Sequence, residues 1–305
     1  MCPVHSPSPD EDSFPLRHFL SRLDDIPPKK LRAITIIIPL LALLVISLVP
    51  WQTDLGIRYT VAILICTSML WTFGMIPLAV TALMVPVLLV GFGIFSPIEA
   101  LEPFADPVVY LLVGGLIIAE TFRKNGMDRR LAYFLVNASG GDLKRTLLAL
   151  MVTAAILSMW ISNTATVALL IPVTLSVASQ AGDGKRKVAA FFLIGIAMAT
   201  AFGSLSTIIG SPTNAITSAL LAKETAWTFV DWLVIGIPVA LSSMLLIYLL
   251  LPLALKVPKE TLDITEVHTK LEALGPLNRM EKTILLIFGA TIILWVMGTQ
   301  IASAT

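Results

Sequence analysis

The chain has 305 residues, of which 56% are apolar and only 13% are charged, and its formal net charge is +1. Soluble domains carry roughly 45–50% apolar and about 25% charged residues, so this composition argues against a soluble fold. No basic patch interleaved with aromatic residues suggests a nucleic-acid partner. The pattern predicts an all-α integral membrane protein, a multi-span helical bundle embedded in a lipid bilayer.

The apolar segments are separated by short polar loops. The first 30 residues are polar, which predicts a disordered cytoplasmic tail and no signal peptide. A membrane-spanning helix needs about 20 apolar residues, with somewhat fewer tolerated. Six segments meet this requirement: 33–50, 59–73, 76–95, 108–122, 227–255 and 283–299. Residues 256–282 are more polar and are predicted to form a cytoplasmic linker.

The distribution of lysine and arginine predicts the orientation of the spans, because basic residues near span ends stay in the cytoplasm. It places the N-terminus in the cytoplasm. If residues 145–180 crossed the membrane once, the basic triplet 185–187 would lie outside, against the pattern of the other loops. A re-entrant hairpin of two half-helices keeps this triplet inside and leaves only Arg58 and Lys223 outside. We therefore predict a re-entrant hairpin over about 145–180.

Two smaller features also carry expectations. Residues 128–137 carry Arg129 and Arg130 beside apolar neighbours, which is compatible with an amphipathic helix on the membrane surface or with an ordinary loop helix. The pair Gly114-Gly115 predicts close packing of helices.

Polar residues interrupt the two long apolar regions that remain. In the hairpin, Ser158 and the triplet 162–164 lie near the centre, where the chain is expected to turn. In the region 188–222, glycine, proline and hydroxyl residues crowd positions 203–214, which disfavours a continuous helix. Non-helical backbone occurs at membrane depth only where protein buries it or where it lines a cavity. We therefore predict a broken helix over about 188–222.

These interruptions predict a binding site for an anion and a sodium ion. The second arm of the hairpin begins near Asn163, so its N–H groups and positive dipole end favour a carboxylate at the tip. Neutral side-chain oxygens and freed carbonyls suit Na⁺, and broken helices are the usual binding device of secondary transporters. Neither region has a titratable residue at its centre, which favours sodium over proton coupling. The alternative is that these small residues only serve helix packing.

A family resemblance extends this prediction. Trp160-Ile-Ser-Asn-Thr-Ala-Thr166, followed by Leu-Leu-Ile-Pro172, resembles the signature of the divalent anion/sodium symporter family. That family includes carriers of succinate, citrate, malate and sulfate. Weaker similarities follow the family order at 76–83, 104–106, 114–115, 125–132, 274–276 and 279–282, so the resemblance covers nearly all of the chain from Ile57 onward.

The resemblance implies a sodium-coupled symporter of small divalent anions such as C4-dicarboxylates. By position, the implied Na⁺ ligands are Ser158, Ser162, Asn163 and Gly210. The implied substrate contacts are Asn163, Thr164 and Pro212. The other polar residues of the implied broken-helix loop are Ser204, Ser206, Thr207, Ser211 and Asn214. Thr213 stands where the family has a second proline, so the choice of anion stays open.

The family is built from two inverted repeats, whereas this chain contains one Ser-Asn-Thr hairpin. We therefore expect residues 31–255 to form the first repeat and 283–305 to begin the second, with the chain either a fragment or the partner of a separate second half. The resemblance further implies a homodimer at full length, in a cell membrane and most naturally the bacterial inner membrane. A sodium-independent exchanger, a sulfate carrier and a non-transporting scaffold subunit are the alternatives. A membrane enzyme is disfavoured, because no catalytic constellation lies within the apolar regions.

Overall fold

A computed structural model describes residues 28–49, 54–74, 76–225, 227–255 and 261–304. Its regular elements over these ranges are all helices, which confirms the predicted all-α class. Most of the predicted N-terminal tail, residues 1–27, lies outside the described residues. Residues 28–30 already belong to the first helix, which therefore begins before the predicted span at residue 33.

The chain divides into two compact units, one ending at Ala105 and one beginning at Asp106. The helices of the first unit are α1 (Pro28–Leu48), α2 (Leu55–Phe73), α3 (Leu78–Gly91) and α4 (Pro97–Leu101). Those of the second are α5 (Pro107–Lys124), α6 (Met127–Ala138), α7 (Leu143–Ser158), α8 (Asn163–Ala178), α9 (Lys185–Gly203), α10 (Pro212–Glu224), α11 (Phe229–Leu255), α12 (Thr265–Ala273) and α13 (Arg279–Ala304). Short 3₁₀ turns cover Glu102–Ala105, Ser179–Gly184 and Ser204–Ser206.

In the first unit, α2 packs between α1 and α3. Its buried face carries Ala62, Ile63, Cys66 and Leu70, which contact Leu43 of α1 and apolar residues of α3. With 14 residues, α3 is shorter than the predicted span 76–95. The helix ends at Gly91 and is followed by a turn. A capping box formed by Ser96 and Glu99 then starts α4.

In the second unit, α9 is the central helix. It packs against α7, α8 and α11, and the side chains of Phe191 and Phe192 are fully buried at its centre. The predicted helix over 128–137 is present as α6, whose buried residues Ala132 and Val136 belong to the same core. Packing against this core makes α6 part of the second unit, while its contact with a membrane surface stays a prediction.

The segment that contains α7 and α8 is a helical hairpin. At the start of α7, the Gly141 carbonyl accepts a hydrogen bond of 2.8 Å from the N–H of Leu262. Near the end of α8, Ser176 Oγ donates to Glu266 at 2.6 Å. Both outer ends therefore meet the same short stretch before and within α12. Each arm has 16 residues, about 24 Å of helix, which is shorter than the roughly 30 Å of a bilayer core.

The segment that contains α9 and α10 is a broken helix. After Gly203 the chain forms the 3₁₀ turn Ser204–Ser206, continues through extended backbone at Thr207 and Ser211, and resumes as α10 at Pro212. We call residues 204–211 the loop and residues 159–164 the tip. The break falls inside the predicted interval 203–214.

The apolar helices agree with a multi-pass membrane protein. Among the described residues, four helical runs are long and apolar enough to cross a membrane: Leu55–Phe73, Asn163–Ser206, Phe229–Leu255 and Arg279–Gly298. A fifth is reached if Pro97–Ala105 and Pro107–Lys124 are counted together. The run Asn163–Ser206 combines α8 and α9, which pack against each other and are separated by non-helical backbone at Ala181 and Gly182.

Candidate functional site

The tip of the hairpin brings the Ser-Asn-Thr triplet to the start of a helix. Ser162 is the N-cap of α8, and its Oγ accepts a hydrogen bond from the N–H of Ala165 at 3.4 Å. The N–H groups of Asn163 and Thr164 meet no acceptor in the described part of the chain. All three side chains are exposed. The positive end of α8 therefore opens to the surroundings at the triplet, as the sequence predicts.

Two hydrogen bonds join the tip to the loop of the broken helix. Thr207 Oγ1 donates to the carbonyl of Met159 at 2.6 Å, and Asn163 Nδ2 donates to Ser204 Oγ at 3.4 Å. The first is a short, partly buried contact and the second is long for a hydrogen bond. The two helix breaks, which are more than 40 residues apart in sequence, therefore lie side by side.

The loop is held by hydrogen bonds from side chains within it and next to it. Asn214 Nδ2 donates to the carbonyls of Ser204 and Thr207 at 2.8 and 2.9 Å, and Thr207 Oγ1 accepts from the N–H of Gly210 at 3.0 Å. Trp232 of α11 adds a bond from Nε1 to the carbonyl of Leu205 at 3.0 Å. Buried backbone groups of a broken helix need such partners, so these residues fix the shape of the loop.

Glycines allow the loop to approach its neighbours closely. A Cβ on Gly210 would lie 2.2 Å from the carbonyl oxygen of Ser204, and one on Gly203 would lie 2.6 Å from Ser158 Oγ. On α5, a Cβ on Gly115 would lie 2.6 Å from Cγ2 of Ile209 in the loop. The expectation of close packing is therefore correct for Gly115. It is wrong for Gly114, where a Cβ would meet open space.

An open groove runs from the tip between α8 and α9. It has a volume of about 430 Å³, and its lining includes Asn163, Thr164, Ala168, Ala197 and Thr200. The alanines keep the groove wide, and the triplet supplies polar groups at one end. This volume falls within the usual range of small-molecule sites.

With this geometry established, comparison with known proteins identifies the family. The profile described as citrate transporter matches residues 62–304 and thus includes both helix breaks. The chain belongs to the citrate transporter family.

Individual relatives agree with this assignment. The chain is 32% identical to an uncharacterized transporter of Haemophilus influenzae and 34% identical to one of Methanocaldococcus jannaschii, in each case over 79% of this chain. The sodium-dependent dicarboxylate transporter SdcS of Staphylococcus saprophyticus is 28% identical over 80% of it. The resemblance to the divalent anion/sodium symporters is thereby confirmed. The matches cover 50%, 53% and 50% of these relatives, so the chain spans about half their length.

Within this member of the citrate transporter family, the implied site residues are not equally close together. Asn163, Ser204, Thr207, Gly210 and Asn214 are linked by hydrogen bonds. Ser158 lies close to Gly203, the residue just before the loop, and its hydroxyl donates to the carbonyl of Ala155. The hydroxyl of Ser211 pairs with that of Thr213 at 2.7 Å, and the Ser211 carbonyl accepts the N–H of Asn214 at 3.1 Å. Pro212 is the exposed first residue of α10. Among the described residues, no hydrogen bond joins Pro212 to the tip.

Sequence reasoning missed residues that support the site from outside the two breaks. Trp232 and Gly236 of α11 both approach the carbonyl of Leu205, where a Cβ on Gly236 would lie 2.5 Å away. At the tip, Trp160 packs against Phe288 and Trp295 of α13, with ring centroids 4.8 and 6.3 Å apart. The sequence gives no sign of these contacts, because the segments that form α11 and α13 have the composition of ordinary apolar spans.

Proposed function

We propose that this protein is a sodium-coupled secondary transporter of small divalent anions, with C4-dicarboxylates as the leading substrate class. The observation that carries the proposal is the meeting of the hairpin tip and the broken-helix loop, two helix breaks that present neutral oxygens and helix N–H groups at one place. Secondary transporters bind their substrates and coupling ions at such breaks. The printed name of the SdcS relative, a sodium-dependent dicarboxylate transporter, agrees with this reading.

The sodium ion in this proposal binds oxygens that the protein leaves free. Asn214 and Trp232 occupy the carbonyls of Ser204, Thr207 and Leu205. The carbonyl of Gly210 and Oδ1 of Asn163 accept no hydrogen bond from the described residues. With Nδ2 of Asn163 turned toward Ser204, its Oδ1 is available to a cation. Ser158 and Ser162 would supply the hydroxyl ligands.

The substrate carboxylate in this proposal binds at the N-terminus of α8. The free N–H groups of Asn163 and Thr164 and the hydroxyl of Thr164 are suited to a carboxylate, and the dipole of α8 favours its charge. The groove between α8 and α9 gives room for the rest of a small anion. The bound sodium ion would add positive charge beside the carboxylate, so each ligand would favour the other.

Sodium is preferred to the proton as coupling ion. Residues 146–180 and 188–222, which contain both breaks, include no Asp, Glu, Lys, Arg or His. A proton-coupled carrier would need a titratable group there. We also propose that the hairpin is re-entrant from the cytoplasm, that a second repeat completes the site, and that the complete protein is a homodimer in a cell membrane. The re-entrant hairpin is supported by the distribution of lysine and arginine, and the second repeat and the homodimer by the family architecture.

The test is uptake by vesicles that contain the protein together with its second repeat, on the same polypeptide or on another. Uptake of labelled succinate should rise with an inward sodium gradient, and replacing Asn163 with Ala should abolish the rise. Asn125→Ala, at an exposed helix end, is the matched control and should transport normally.

Each of the other outcomes changes the assignment. Succinate uptake that ignores sodium would favour an exchanger, and uptake of sulfate alone would change the substrate class. Normal uptake by Asn163→Ala would remove the site. No uptake of any anion, with an intact fold, would favour a scaffold subunit.

A further inference from the structure

A second cavity of the same unit lies where α5 and α6 meet the side of α8, on the other side of Ala168 from the groove between α8 and α9. Its volume is about 640 Å³, and it is lined by the basic side chains of Arg123, Lys124 and Arg129 and by apolar residues of α8 that include Leu169 and Pro172. Arg123 and Lys124 occupy the last turn of α5, and α6 begins at Met127. The cavity therefore combines positive charge with an apolar wall.

The cavity also contains an acid whose position is unusual. Asp128 lies in the first turn of α6, lines the cavity and is only 1% exposed. Its Oδ1 accepts the N–H of Arg129 at 2.7 Å, but Oδ2 is buried and has no hydrogen-bond partner among the described residues. Burial raises the pKa of the Asp128 carboxyl, and the N–H and charge of Arg129 oppose this. A buried carboxylate oxygen without a donor is costly, so a ligand that supplies one would be favoured.

The charges of this cavity select against simple ions. An anion alone would be attracted by the three basic side chains but repelled by Asp128, and a cation alone would be attracted by Asp128 but repelled by the three basic side chains. Arg123 and Lys124 are partly engaged by Glu120, at 2.8 and 3.9 Å, so Arg129 is the basic group with no ion pair among the described residues. A ligand that carries an anionic group and an N–H-bearing cationic group satisfies both requirements.

We propose that this cavity binds the phosphoethanolamine headgroup of a membrane lipid. The phosphate would lie against Arg129 and the N–H groups that open α6, and the ammonium would donate to Oδ2 of Asp128. Basic pockets at the ends of membrane helices are known to hold lipid headgroups. The apolar wall from α8 and the place of the cavity beside the end of an apolar helix favour a lipid over a free zwitterion.

The test uses native mass spectrometry to compare the binding of three lipids to the purified protein: phosphatidylethanolamine, phosphatidylcholine and phosphatidylglycerol. Phosphatidylethanolamine should bind about tenfold more tightly than phosphatidylcholine, whose trimethylated nitrogen cannot donate to Asp128. Equal binding of these two lipids would overturn the proposal, and this comparison needs no variant to fold.

Variants then assign the contacts. Asp128→Asn should remove the preference for phosphatidylethanolamine and tighten phosphatidylglycerol, because it removes a negative charge. Arg129→Gln should weaken all three lipids, and Asp183→Asn, the same charge change at an exposed loop residue, should leave them unchanged. A preference that survives in Asp128→Asn would contradict the assignment. Displacement by soluble glycerophosphoethanolamine at the same concentration as the lipid would contradict the lipid source. These readouts measure binding and do not depend on transport.

Discussion

The tip of the hairpin and the loop of the broken helix are both breaks in apolar helices, yet they treat their polar groups in opposite ways. In the loop, Ser204, Ser206 and Thr207 are buried, as is Asn214 just beyond it. Hydrogen bonds within the protein engage the carbonyls of Ser204 and Thr207 and the hydroxyl of Thr207. At the tip, the triplet 162–164 is exposed and its bonds are few and long. The loop therefore uses its polar groups to hold its own shape, whereas the tip leaves its polar groups available to the proposed ligands.

The largest effect should come from closing the space in the loop. Gly210→Ala places a Cβ 2.2 Å from the Ser204 carbonyl, so the loop must move. We expect a loss of about 3 kcal/mol in the free energy of unfolding, typical of severe overpacking, together with loss of transport. Thermal or denaturant unfolding of the purified protein measures the first effect.

Gly114→Ala is the matched control for this prediction. It adds the same methyl group in open space on α5 and should be neutral or slightly stabilising. If Gly210→Ala and Gly114→Ala have the same free energy of unfolding, the loop can rearrange around the added methyl group more easily than its contacts imply.

A smaller loss should follow when the loop loses its amide. Asn214→Leu keeps the volume but leaves the carbonyls of Ser204 and Thr207 without their donor. Each unsatisfied buried group costs about 1–3 kcal/mol, and relaxation recovers part of this, so we expect about 2 kcal/mol overall in an unfolding experiment. Asn125→Leu removes one exposed bond to the Thr121 carbonyl and should change stability by less than about 0.5 kcal/mol. Equal losses in the two variants would mean that the Asn214 amide does not hold the loop.

The next effect concerns Ser162, which has a structural role as the N-cap of α8 and an implied role as a sodium ligand. Ser162→Ala should lower stability by about 0.5–1 kcal/mol, at the low end for an N-cap because the bond to Ala165 is long. Ser162→Asp should restore the cap and the stability. Its negative charge at the α8 N-terminus should nevertheless impair uptake of a dicarboxylate. Full uptake in Ser162→Asp would separate this residue from the anion site.

Much of this arrangement could be predicted from the sequence, because helix breaks have local causes. The serine that caps α8 and the glycines and proline near residues 203–212 locate both breaks, and the basic triplet 185–187 predicts the return of the hairpin. The bond of Asn214 to two carbonyls could not be predicted, since it depends on the path of the loop. For the same reason the sequence could not separate Gly115, which touches Ile209, from its neighbour Gly114.

Replacing Asn163 with Ala should have the smallest effect on stability and a large effect on transport. This variant therefore tests most directly whether the tip and the loop use their polar groups differently. The side chain of Asn163 is exposed and makes one hydrogen bond, of 3.4 Å, to the described residues, so Asn163→Ala should change the free energy of unfolding by less than about 0.5 kcal/mol. Sodium-dependent uptake should nevertheless be lost, because the variant removes the free Oδ1. Unfolding and uptake measured on the same preparation give both values. A large loss of stability in Asn163→Ala would show that the tip, like the loop, uses its polar groups for structure, and the proposed division of labour between the two breaks would then be wrong.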